Sequence, residues 1–258
     1  MKKITFLALC NMIAFSVAAQ SYSETFYDAL NSDNLTLQRQ ILAEWGQASP
    51  DDIDLYIARF NYHMGQSIAS SSPVAADSTV FVIDQAIQQY PDRLDLRFGK
   101  IFFLGEIRRW KPYADEIVQT LDRSEQINHR WQFPNLEGGG RELMLEGVQD
   151  YLHTISYDIA NPEPGATIDT ATVLELRRIA HRAAQVFPSD VVILIHLAYS
   201  HSIVGDDQNA LHYLLRAEKI APNNPVVLER IVSVYTKMKN KKLAAQYKQR
   251  LKALQPAD

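Results

Sequence analysis

Pro188, Pro222 and Pro256 recur at intervals of 34 residues. Proline has no amide hydrogen and its ring clashes with a preceding helical turn, so each one marks a place where a helix must stop. Between the first two lie Leu194, Leu197, Ala198, Gly205, Ala210, Leu214 and Ala217, which alternate large apolar, small and turn residues at helical spacing. This pattern predicts two antiparallel helices, the first beginning near Val191 and the second near Gln208. The alanines let the backbones approach and the leucines fill the seam. Gly205 suits a left-handed helix cap. Leu228, Ile231, Val232, Tyr235 and Ala244 repeat the plan, while Lys248 and Leu251 depart from it as a terminal helix with one open face would. The lysines at 237, 239, 241 and 242 read as a solvated turn.

One period earlier, Leu176, Ala180 and Ala183 precede Pro188, and the apolar-periodic stretch from Arg141 to Tyr157 supplies the companion helix. The connection from Ile159 to Thr170 is longer than a turn needs. Pro50 and Pro91 look equivalent but stand 41 residues apart, which predicts an inserted loop in the Ser-rich run from Ala69 to Pro73. Helices are expected over Asp51–Gly65 and Ala75–Tyr90, over Arg93–Glu106 and Trp110–Asp122 as an antiparallel pair, and over Tyr22–Leu30 and Leu35–Trp45. That makes roughly twelve helices and no strand alternation.

The repeated interval with small residues in register resembles the tetratricopeptide-repeat family, well over Val191–Pro256, fairly over Leu176–Pro188 and weakly over Asp51–Asp122. The resemblance implies an all-α solenoid, a right-handed superhelical stack of antiparallel helix hairpins, with degenerate repeats over 20–140 and clearer ones over 141–258. It also implies a concave face lined by the first helix of each repeat. Carried over, that face holds Val192, Ile195, Tyr199, Ser202 and Ile203, then Val226, Glu229, Ser233, Thr236 and Lys237. In the weaker units it holds Ile57, Asn61 and Met64, then Phe98, Phe102 and Glu106. One subclass grips a C-terminal carboxylate through Lys and Asn. Ile57, Phe98, Ile195 and Glu229 stand at its lysine positions, so that clamp is missing, and an apolar groove for a helix or extended peptide is the expectation. Phe98, Phe102, Ile195 and Tyr199 fit equally as core between hairpins.

Residues 1–19 read as a signal peptide. Lys2 and Lys3 precede an apolar run from Ile4 to Val17, and Val17-Ala18-Ala19 offers a cleavage site that would leave Gln20 first. The only cysteine, Cys10, lies in that leader, so cleavage would remove thiol chemistry and disulfides. Losing the two lysines takes Lys+Arg from 26 to 24 against 30 acidic residues, a net charge of −6. That argues against a nucleic-acid binder, which needs a basic stripe, and no later segment predicts stable membrane insertion. The seven histidines form no ligand pair, His196 and His201 standing on different helix faces. No nucleophile motif, phosphate loop or dinucleotide fingerprint occurs, so neither an enzyme nor a cofactor is expected.

The segment from Ser124 to Arg141 interrupts the repeats with His129, Arg130, Trp131, Phe133 and Gly138-Gly139-Gly140. A loop on a rigid scaffold is a place for function, although Trp131 and Phe133 suit core equally. The chain therefore reads as an exported, periplasmic or secreted scaffold that binds a protein or peptide partner. The candidate contacts are Phe98, Phe102, Arg130, Trp131, Ile195, Tyr199 and Ser202. The alternatives are a structural subunit of a homo-oligomer and a hydrolase with a site near the 124–141 loop.

Overall fold

The computed structural model describes residues 17–134, 138–162, 165 and 167–254, with side chains from 21 onward. Most of the leader and Pro256 lie outside the described residues. The described residues form twelve helices: α1 (Val17–Asn31), α2 (Leu35–Ala48), α3 (Ile53–Ser70), α4 (Pro73–Gln89), α5 (Leu94–Glu106), α6 (Trp110–Gln126), α7 (Gly140–Ala160), α8 (Thr170–Val186), α9 (Val191–Ile203), α10 (Asp207–Ile220), α11 (Pro225–Lys237) and α12 (Lys241–Ala253). The chain divides into two compact units. Residues up to 107 together with 129–140 make the first, and 108–128 with 141–258 make the second. The division falls between α5 and α6, and within the second unit α6 packs along α8.

One turn recurs at the end of every second helix that precedes a proline. Ser49, Tyr90, Phe187 and Ala221 each stand before proline, and each is pushed out of the helical region, with φ from −125° to −147° and ψ from 65° to 77°. The steric bulk of the proline ring causes this. In all four, the amide three residues on donates back across the turn: Asp52 to Ser49 at 3.2 Å, and Arg93 to Tyr90, Asp190 to Phe187 and Asn224 to Ala221 at 3.1 Å. Proline thus stops one helix and occupies the second position of the β-turn that starts the next. Asp52, Asp190 and Asn224 then accept amide hydrogens as N-caps of α3, α9 and α11.

The opposite ends of the hairpins use a left-handed residue followed by a cap. Asp33, Gly205 and Lys239 have φ of 51°, 80° and 59°. The following Asn34, Asp206 and Asn240 donate their amides to carbonyls five residues back and cap α2, α10 and α12. Asp190 and Asn224 stand 34 residues apart, as do Asp206 and Asn240, so the period lives in the caps as well as the prolines.

The longer Pro50–Pro91 interval is not an inserted loop. Ala69 and Ser70 end α3, Ser71 turns at φ 49°, Ser72 caps, and Pro73 is already in the first turn of α4. The extra length lies in the helices themselves: α3 and α4 have 18 and 17 residues, against 13 and 14 in α9 and α10.

The first unit buries rings. Phe26, Ala29, Ile41, Leu42, Trp45, Leu55 and Ala58 form one cluster, and Phe60, Ala76, Ile83, Ala86, Leu96 and Phe103 another. Tyr22 stacks on Trp45 at 6.0 Å, and Phe60 meets Phe103 edge-on at 6.2 Å. In the second unit Leu194, Ala198, Ala210, Leu214, Ala217, Val227, Ile231 and Val234 make a mainly aliphatic cluster that also buries Tyr235, and Tyr113 is buried on α6. No residue of α12 is buried, as expected of an end helix. Ion pairs line the α6–α8 seam. Arg178 reaches Asp115 at 2.7 Å, and Arg182 reaches Asp122 at 2.7 Å and also Glu125. Burial alone would raise the Asp115 pKa, but bonds from Lys111 and Arg178 hold it below the usual carboxylate value.

Candidate partner-binding face

Tyr199 and Ser202 project from α9 beside α11, where they line a cavity of about 50 Å³ with Ala198, Leu214, Arg230, Ser233 and Val234. Small and aliphatic residues make its floor, with Ala198, Leu214 and Val234 nearly inaccessible. Polar side chains make its wall. The Arg230 guanidinium lies 5.5 Å over the Tyr199 ring, within cation–π range. Burial raises the Tyr199 phenol pKa, with the Arg230 charge opposing. Lys237 Nζ donates to Ser202 Oγ at 2.8 Å and to the Ser202 carbonyl at 3.3 Å. The groove expected to be apolar is therefore polar and cationic at its centre.

The α9 stripe and the α11 stripe converge here, because Tyr199, Ser202 and Ser233 stand on first helices of successive hairpins. Arg230 was not among the sequence candidates. Its signal was available: Val227, Arg230 and Val234 recur at helical spacing, which places a cation on the apolar side of α11. Ile195, one turn before Tyr199, is 9 % exposed and belongs to the aliphatic core cluster.

The remaining candidates lie in the first unit. Phe98 is 6 % exposed and meets Phe133 edge-on at 6.4 Å. Phe102 is half-buried, and Arg130 is exposed. Trp131 is half-buried with the Arg97 guanidinium 5.9 Å over its ring. The surrounding segment is stitched to residues 92–94. The Gln132 amide donates to the Asp92 carbonyl at 2.9 Å, and the Leu94 amide donates to the Gln132 carbonyl at 3.0 Å. Asn128 and His129 turn at φ of 52° and 58°. A Cβ on Gly140 would stand 2.5 Å from the His129 carbonyl oxygen, so only glycine fits that approach.

Ser156 and His196 form the other polar pair of note, with Oγ 2.8 Å from Nδ1. Burial first, then the Arg230 charge and His153, lowers the His196 pKa to about 4. Such an imidazole is a poor base at neutral pH. His201 instead meets Asp206 at 2.8 Å and stacks on Tyr213 at 5.5 Å, bracing the α9–α10 turn. The two histidines serve different neighbours, as their spacing predicts.

No helix among the described residues is long and apolar enough to cross a membrane. No protein-family model matches the chain, and no curated protein does. Among solved structures it is similar to PilW, described as a widely conserved type IV pilus biogenesis factor, at 11% identity and TM-score 0.44, covering 93% of this chain and 94% of that one. It is similar to PilF of Pseudomonas aeruginosa at 12% identity and TM-score 0.41, covering 93% of each. It is also similar to YrrB, a tetratricopeptide-repeat protein with an unusual peptide-binding site, at 10% identity and TM-score 0.42, covering 82% of this chain and 90% of that one.

Proposed function

We propose that this chain is a non-enzymatic scaffold of the cell envelope that holds a protein or peptide partner against α9 and α11. The observation that carries the reading is the convergence of Tyr199, Ser202 and Ser233 around an open cavity. A stack of hairpins offers such a face because each first helix presents one stripe to its neighbours and another to solvent. Export rests on the basic, apolar and small-residue order of residues 1–19.

The test is affinity capture from native envelope with the chain beginning at Gln20, set against Tyr199→Glu after a thermal melt shows that the variant folds. A partner held by the parent and lost by the folded variant supports the reading. Equal capture by both moves the site off this face. Light scattering showing a stable mass above one chain, with nothing captured, would favour a homo-oligomeric subunit instead.

A further inference from the structure

α12 is the only described helix that carries cations and no acid. Residues 237–254 hold seven of the chain's 26 lysines and arginines and none of its 30 acidic residues. Packing and helix capping account for only part of that charge. Arg250 pairs with Glu218 of α10, and the Tyr247 hydroxyl donates to the same carboxylate at 2.9 Å. Tyr247 packs inward together with Leu243 and Ala244. Lys237 donates to Ser202. Lys252 stands in the last turn of α12, where the helix dipole favours a cation. Lys241 and Lys242 stand in the first turn, where the dipole opposes one, and no acid accompanies them there. Lys241, Ala245, Lys248 and Lys252 recur at helical spacing, which aligns them in one exposed stripe on the side away from Leu243 and Tyr247. Among the described residues no carboxylate pairs with Lys241, Lys242, Lys248 or Lys252.

We propose that this stripe docks the protein on an anionic phospholipid surface, by charge and without insertion. The proposal goes beyond the partner-binding reading and uses other residues. Charge complementarity names the occupant. A lysine ammonium is a compact charge on a flexible stem, suited to many mobile headgroup phosphates rather than to one fixed acid. A protein partner is disfavoured, because interface cores are depleted in lysine and built around aromatic anchors. The one apolar member of the stripe is Ala245. A single-stranded nucleic acid is disfavoured too, because the stripe has no ring for bases to stack on. Tyr247, the one aromatic of α12, lies 5.7 Å from Tyr235 on the inward side. The acidic remainder of the chain does not oppose docking at a distance, because exposed charges more than about 8 Å apart are screened at physiological salt.

The experiment is sedimentation of the chain beginning at Gln20 with vesicles of equimolar phosphatidylglycerol and phosphatidylcholine, and with vesicles of phosphatidylcholine alone. The expected result is binding to the anionic vesicles that falls as salt is raised, and none to the neutral ones. Lys241→Gln, Lys248→Gln and Lys252→Gln should each weaken binding about fivefold, and the three together about a hundredfold. Lys241→Arg, Lys248→Arg and Lys252→Arg together should keep it. No residue of α12 is buried, so these variants should melt with the parent. Equal binding to neutral vesicles, a glutamine triple variant that binds like the parent, or an arginine triple variant that does not bind would each overturn the proposal. Displacement by inorganic phosphate beyond that by chloride at equal ionic strength would overturn it as well, by marking a discrete phosphate site. So would unbound vesicles alongside a second copy held in light scattering, or duplex DNA held in a gel shift, through the same lysines. Tyr199→Glu should still bind vesicles, so a failed envelope capture leaves this surface standing, and unbound vesicles leave the partner reading standing.

Discussion

The α3–α4 and α9–α10 hairpins enter and leave through the same proline turn, yet their interiors have little in common. Both begin after a residue forced into extended geometry by proline, with an aspartate cap three residues later. Between those fixed ends α3 and α4 are longer than α9 and α10, and Phe60 packs against Phe103 of α5, while α9 and α10 use Leu194, Ala198 and Leu214. Connectors therefore carry the period, and cores drift around it. A turn has one backbone solution that proline, aspartate and asparagine select locally, whereas a seam can be filled by any set of side chains of suitable total volume.

The sharpest break of this comparison is Trp45→Ala. Trp45 is fully buried, stacks on Tyr22, and donates Nε1–H to Asp52 at 3.0 Å. Removing it should cost about 3–5 kcal/mol. Hydrogen exchange should then show protection lost across α1–α3 and retained across α9–α11. Equal loss in both would mean that the two cores do not act separately.

A smaller effect, confined to the second unit, is set by pH. His196 takes up its proton at about 4 when folded and near 6.5 when unfolded. Between those values the unfolded chain binds more protons, so stability is full above the unfolded value and falls as pH drops toward the folded one. The loss is no more than about 3 kcal/mol. Melting curves between pH 7.5 and 4.5 should show it, and His196→Gln should flatten that part of the dependence. An unchanged slope in the variant would assign the acid sensitivity elsewhere.

The smallest effect tests the turns directly. Gly205 and Lys239 occupy equivalent left-handed positions, but only glycine does so without steric cost. Lys239→Gly should stabilise by about 1 kcal/mol, read as a rise in melting temperature. A fall would show that the α11–α12 turn depends on the lysine side chain more than on its backbone.

The helices were legible because their stop signals are local. Pro50, Pro91, Pro188 and Pro222 end helices wherever they stand, and Gly205 and the Asx caps start the next. The Ser-rich run at 69–73 misled because Ser-Ser-Pro reads as loop by composition, although Ser72 and Pro73 together are a helix start.

Sequence alone therefore determined the class and the period, since turn chemistry and helical spacing act over a few residues, while the stripes that hold Tyr199, Ser202 and Ser233 are what the tetratricopeptide-repeat resemblance implies. Tertiary structure decided that Phe98 and Ile195 are buried while Tyr199 stays half-exposed, that Gln132 is bonded to Asp92 and Leu94, and that Arg230 stands without a carboxylate. Those outcomes depend on which helix lies opposite each stripe. Burial and charge pairing belong to the space between elements, and no single element encodes its neighbour.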